Sequence, residues 1–269
     1  MTNQNFDQII NEQYNFGRMI TLFYPLLWLV NKLFPLEKGK ILFCTKLGQF
    51  SGNAKYFFIY LVKNQRMKAI WKADDKKTYD HISEQFGKQN VIFSKGIIGK
   101  LQYLYHYLSA NTILIRGRVD AWDLMRLGVK KNKIIMNIGH GSPGPGMKGG
   151  GGSMWENVHR RKLNREIKTR RAVTHYVTGS ELSRYFMAAG TLVEPSKIHI
   201  TGMPRTDFII DGLNNLKSIK NKITSLIKTN MNYDKVILYA PTFREEVATK
   251  FFPFKDFSSS YLFNVLKKK

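Results

Sequence analysis

The chain has 269 residues, 43% of them hydrophobic, enough for one large core or two smaller ones in a globular protein. Its 43 Lys and Arg against 19 Asp and Glu leave a net charge of +24, which attracts phosphates, nucleic acid or anionic headgroups without choosing between them. The single cysteine, Cys44, excludes an internal disulfide and suits a reducing compartment; inside the apolar run 41–44 it is expected in the core.

The first 15 residues are polar and lack a basic stretch leading into an apolar core, so no secretory signal is expected and the chain is placed in the cytoplasm. Residues 19–30 are strongly apolar but contain Pro25 and run into Asn31 and Lys32. A spanning helix needs about 20 apolar residues, which this run does not supply. Two readings remain for the segment 1–38. One is a helix in a membrane interface, with Tyr24 and Trp28 at headgroup depth and Arg18, Lys32 and Lys38 toward anionic lipid; the other is an N-terminal helix packed on the domain.

From residue 40 onward, β-type runs at 40–45, 69–72, 90–93, 112–116, 133–138, 172–178 and 197–201 alternate with helical patterns at 54–63, 79–86, 97–108 and 181–189. That alternation predicts an α/β fold with a parallel sheet of Rossmann type. A polar helix near 214–229, a strand at 235–239, a turn at 240–244 and a helix beginning at Tyr261 open a second pattern. The expected organisation is 1–38, then a Rossmann-like domain over 39–212, then a linker helix and the start of a second domain over 213–269.

No Gly-x-Gly-x-x-Gly comes after the first strand, and there is no P-loop, Cys-x-x-Cys or His-Glu-x-x-His. A dinucleotide, nucleotide-hydrolysing or zinc site is therefore not expected, and no motif calls for a cofactor. His81, His106, His159, His175 and His199 show no metal-ligand spacing, so no metal site is assigned. The turn 47–53 has small residues and N–H groups able to approach a ligand; its plainer reading is a strand-to-helix turn with Asn53 as N-cap.

The run Ile134-Ile135-Met136-Asn137-Ile138 ends in Gly139-His140-Gly141-Ser142-Pro143-Gly144-Pro145-Gly146-Met147-Lys148, too rich in Gly and Pro for helix or strand. A loop at the carboxyl end of such a strand in an open α/β sheet lines the ligand crevice, which makes His140 a site candidate; a polar loop histidine is the alternative. Two further segments each set an arginine beyond a strand: Thr201-Gly202-Met203-Pro204-Arg205-Thr206-Asp207 and Tyr239-Ala240-Pro241-Thr242-Phe243-Arg244-Glu245. A guanidinium there grips phosphate oxygens bidentately.

Taken in this order, with Ser51-Gly52-Asn53-Ala54-Lys55 and Thr178-Gly179-Ser180, these segments resemble the CDP-glycerol glycerophosphotransferase family, membrane-associated enzymes that make teichoic acids and related capsule polymers. The resemblance runs from about residue 40 to the end of the chain. It implies a GT-B-like architecture of two Rossmann-like domains, the first facing the acceptor and the second holding a CDP-linked donor, CDP-glycerol or CDP-ribitol. His140 becomes the catalytic base, deprotonating the acceptor hydroxyl as it attacks the donor's β-phosphate and CMP leaves. Neutral imidazole suits that role near pH 7. Gly141, Ser142, Lys148, Arg205, Thr242 and Arg244 become substrate-binding, and Asp207 orients Arg205 or caps the next helix. The resemblance also implies a lipid-linked polyol-phosphate acceptor and a place at the inner face of the cell membrane.

This sequence departs from the family in having Gly139 where a Trp usually precedes His-Gly, and a looser 142–146 segment. The family's second functional histidine lies on a strand later than Lys269, so the resemblance implies an incomplete donor site and weak or no activity for this chain alone. The segment Arg160 to Arg171 packs seven basic residues around one acid. Its Arg160, Arg161 and Arg165, with Trp28 and Lys32, are the expected membrane or polyanion contacts, a solvated basic face being the alternative. Three other functions stay open: a non-catalytic basic module for membrane or polyanion, a GT-B glycosyltransferase using another nucleotide-linked donor, and nucleic-acid binding. No aromatic-basic recognition motif supports the last, and nucleic acid is not expected as a partner. The oligomeric state is left open.

Overall fold

The computed structural model describes residues 23–45, 48–116, 130–139, 170, 172–213, 221, 258, 260, 261 and 264. The chain divides into two compact units, Met1–Leu216 and Lys217–Lys269.

In the first unit, helix α1 (Tyr24–Leu33) leads into β1 (Glu37–Cys44), α2 (Gly52–Asn64), β2 (Lys68–Ala73), α3 (Lys76–Phe86), β3 (Val91–Phe93), α4 (Gly96–Ser109), β4 (Ala110–Ile115) and β5 (Ile134–Asn137). Next along the chain are β6 (His175–Thr178), α5 (Glu181–Thr191), β7 (Ile198–Ile200) and α6 (Pro204–Leu213). The seven strands form one sheet in the order β3-β2-β1-β4-β5-β6-β7, every neighbouring pair parallel. The α/β, Rossmann-like, parallel-sheet expectation is borne out. Chain order reverses between β1 and β4, the kind of switch point beyond whose carboxyl ends open α/β sheets place a ligand crevice.

Each central strand is buried on both faces, which is why apolar runs rather than alternation mark them. Leu42, Cys44, Ile113, Ile115 and Ile135 point into one core, under α4 and α5. Ile41, Phe43, Leu114, Ile138 and Val177 point into the other, under α2 and α3. The second core is aromatic: Trp71 stacks on Phe43 at 5.4 Å, meets Phe50 and Phe58 edge-on at 4.8 and 5.4 Å, and donates from Nε1 to the Gly48 carbonyl at 2.9 Å. Gly48 has φ +66°, and a Cβ there would lie 2.3 Å from the Asp74 amide nitrogen. The turn after β1 thus presses against the turn after β2. Cys44 is buried in the first core, as its apolar surroundings predict.

Three local expectations are revised. Asn53 is not the N-cap of α2: Ser51 holds the extended N-cap conformation (φ −154°), and Asn53, one residue inside the helix, directs its amide elsewhere. The strand expected over 172–178 starts only at His175, because Ala172 is helical and Thr174 spends its hydroxyl on the Ile135 backbone. Finally, Asp207, expected to orient Arg205 or cap the next helix, lies with Arg205 inside the first turn of α6, which Pro204 opens where its missing N–H costs nothing.

At the amino ends of the strands, His106 is half-buried and its Nδ1 meets no hydrogen-bond partner. Burial, reinforced by Lys40 and Lys68, pushes its imidazole down to about 4 from 6.5. The unfolded chain therefore takes up this proton first, and stability is lost as pH falls from 6.5 toward 4. Urea midpoints are expected to drop across that window and to flatten in His106→Phe. Loss confined to below about pH 4.5 would instead implicate Glu37, whose carboxyl Lys68 and Lys40 hold below its ordinary value.

The second unit is described by itself at a few positions. Ser260, Tyr261 and Asn264 are helical, and the Tyr261 amide donates to Ser258 Oγ at 3.3 Å, a side-chain cap where the sequence predicts a helix to begin.

Candidate functional site

At the carboxyl edge of the sheet, three segments singled out in the sequence meet at one side chain. Asn53, fully buried near the start of α2, donates from Nδ2 toward the Ile138 carbonyl (3.3 Å) and the Gly139 carbonyl (3.4 Å) after β5. The same nitrogen lies 3.2 Å from Met203 Sδ in the turn after β7. Gly139 adopts φ +59°, and its amide donates to Asn137 Oδ1 at 2.9 Å, so the chain turns sharply on leaving β5. The Gly202 amide is tied to the Thr178 carbonyl at 3.2 Å, joining the turn after β7 to the end of β6.

A cation absent from the sequence-based site stands nearby. Arg116, at the end of β4 and only 8% exposed, donates from Nη1 to Ser51 Oγ at 2.7 Å and from Nη2 to Gln49 Oε1 at 3.4 Å. It pins the turn that precedes α2. Its one signal in the sequence is a charged residue closing the apolar run 113–115, a pattern that marks a strand and nothing more. Farther along the edge, Lys72 pairs with Asp74 at 2.6 Å, and Ser94 also donates to that carboxylate.

Of the expected site residues, the structure describes Arg205, Asp207, Trp28 and Lys32. Arg205 and Asp207 open α6, which packs against α2 through Phe208 stacked on Tyr56 at 4.6 Å. Asp207 thus places negative charge at the amino end of that helix, where the dipole favours it. Trp28 and Lys32 form a pair on α1, the ammonium 3.9 Å from the indole centroid. His140, Gly141, Ser142, Lys148, Arg160, Arg161, Arg165, Thr242 and Arg244 lie outside the described residues. Among the described residues there is no group of three or more His, Cys, Asp or Glu able to hold a metal ion. Among them also, no helix is long and apolar enough to cross a membrane.

Comparison with known proteins agrees with this fold. The whole chain superposes on the wall teichoic acid polymerase TagF with a TM-score of 0.66 at 18% identity, covering 64% of that protein. A TagF variant soaked with CDPG matches 87% of the chain and 59% of that structure, with a TM-score of 0.60. The fold is accordingly GT-B-like α/β. A teichoic acid poly(ribitol-phosphate) polymerase from Bacillus spizizenii is 24% identical over 252 residues, which are 88% of this chain and 35% of the polymerase. The chain thus spans about a third of the length of that curated relative. The model of the CDP-Glycerol:Poly(glycerophosphate) glycerophosphotransferase family matches residues 26–269. With that match over nearly its full length, the chain belongs to the CDP-Glycerol:Poly(glycerophosphate) glycerophosphotransferase family.

Proposed function

We propose that this protein contributes to the transfer of a polyol phosphate, glycerol phosphate foremost, from a CDP-linked donor to a hydroxyl of a membrane-linked acceptor in teichoic acid or capsule-type polymer synthesis. The reading is supported by family membership and carried by one observation: the segments bearing Asn53, Gly139 and Met203 meet at the carboxyl edge of the sheet. His140 comes directly after Gly139, and Arg205 lies two residues beyond Met203.

In this reading the domain over 39–212 faces the acceptor and 213–269 belongs to the donor side. His140 accepts the hydroxyl proton as the acceptor oxygen bonds to the β-phosphorus; the bond from that phosphorus to the bridging oxygen breaks, and CMP leaves with both electrons of that bond. Lys148, Arg205 and Arg244 offset charge on the transferring phosphate, while Gly141, Ser142 and Thr242 offer hydrogen bonds to it. Asp207, within the first turn of α6, adds negative charge at that helix's amino end rather than capping it. No metal enters the scheme.

The protein works from the cytoplasm at the inner membrane face. Helix α1 leaves Leu26 and Leu33 61% and 74% exposed beside Lys32, a surface suited to an anionic interface, while Leu27 packs into the domain core. The two sequence-based readings of this helix are therefore compatible. Arg160, Arg161 and Arg165 add charge for the same surface.

The test measures CMP release from CDP-glycerol and from CDP-ribitol by the purified chain with acceptor-bearing membranes. Acceptor-dependent CMP release supports the transferase. No release, with vesicle binding that survives His140→Ala and fades with salt, supports a non-catalytic basic module, the reading favoured by α1 and the +24 charge.

A further inference from the structure

Asn53 has a geometry that its place in a helix does not require. A residue in the first turn of a helix commonly faces solvent or caps, yet this side chain is fully buried and spends its amide nitrogen on groups 85, 86 and 150 residues away. All three neighbours of that nitrogen are acceptors, so the amide orientation is set: turning it over would bring Oδ1 against two carbonyl oxygens and a thioether. In the observed orientation Oδ1 is buried and accepts nothing from the described residues. Leaving a buried acceptor unsatisfied is costly, and the contacts of Nδ2 hold this orientation against that cost.

The groups held are the last two carbonyls before His140, at a residue whose φ of +59° already turns the chain. The third neighbour lies two residues before Arg205. We propose that Asn53 is a positioning residue for the transfer: its carboxamide clamps the backbone from which His140 departs and ties it to the segment carrying Arg205. The inference rests on the reading of His140 as the base. Asn53 touches no reacting atom. It acts by limiting the arrangements open to the base, and a misplacement of about 1 Å is worth up to about 10²-fold in rate.

The experiment uses the full chain with Asn53→Ala and Asn53→Leu, which removes the donor while keeping nearly the same volume. Proteins carrying ¹⁵N-histidine are titrated by NMR, with His140→Asn assigning the His140 signals. CMP release and thermal melting are followed in parallel. Both Asn53 variants are expected to move the His140 ring signals and its titration midpoint. Where CMP is released, kcat is expected to fall about 10- to 100-fold with KM for CDP-glycerol changed less than about threefold. His140 signals and midpoint matching wild type in a folded Asn53 variant would overturn the proposal, whatever the melting temperature does. If Asn53→Ala does not fold, Asn53→Leu decides on the same signals; if neither folds, Met203→Leu, which removes one acceptor, decides through the same signals. Undiminished CMP release by His140→Ala would overturn the base reading instead and leave the NMR result standing as a structural clamp.

Discussion

Where the chain releases CMP, His140→Ala is expected to lower that release by about 10²- to 10⁴-fold, the range a positioned general base contributes. A hydroxyl holds its proton far too tightly to ionise near pH 7, so attack on phosphorus is slow unless a neighbour accepts that proton as the bond forms. Imidazole is the side chain whose ordinary titration lies closest to neutrality. Rate should therefore fall as pH drops through the imidazole range, and that acid limb should vanish in His140→Ala along with most of the rate. Initial-rate assays from about pH 5.5 to 8.5 check both. An unchanged rate, or an acid limb that persists in the variant, assigns the base to another group. Binding of the donor should change little, because a neutral base contributes mainly in the transition state.

Trp71→Ala is expected to destabilise the first unit by about 3–5 kcal/mol, a large part of the stability of an ordinary domain. The indole is fully buried among Phe43, Phe50 and Phe58, and its truncation opens a cavity that rigid rings cannot collapse to fill. It also leaves the Gly48 carbonyl without its 2.9 Å indole donor. That carbonyl belongs to the turn carrying Gln49 and Ser51, which Arg116 grips from the other side. Urea unfolding followed by circular dichroism measures the loss, with Trp71→Phe expected to recover about half of it by keeping a ring in place. A loss below about 1 kcal/mol would mean the aromatic cluster repacks freely.

The strands were legible because a parallel sheet covered on both faces writes itself as short continuous apolar runs. The run 41–44 is the buried second half of β1 and 113–115 the heart of β4 for that reason. Helix α6 is harder to see: Phe208, Ile209 and Ile210 are three consecutive apolar residues, each more than half exposed, so no 3.6-residue stripe marks it. Asn53 misleads because a Ser-Gly-Asn turn before an apolar helix has two residues able to cap. Only distant parts of the chain decide which one does.

By itself the sequence determined the α/β class, the parallel sheet, the family and the segments on which site chemistry would sit, since burial patterns and motifs are local properties. Tertiary structure alone decided that Asn53 faces Ile138, Gly139 and Met203, and that Arg116 holds the turn before α2. These contacts join residues 65 to 150 positions apart. Their partners are chosen by strand order and by helices packing across the sheet, which no local pattern encodes.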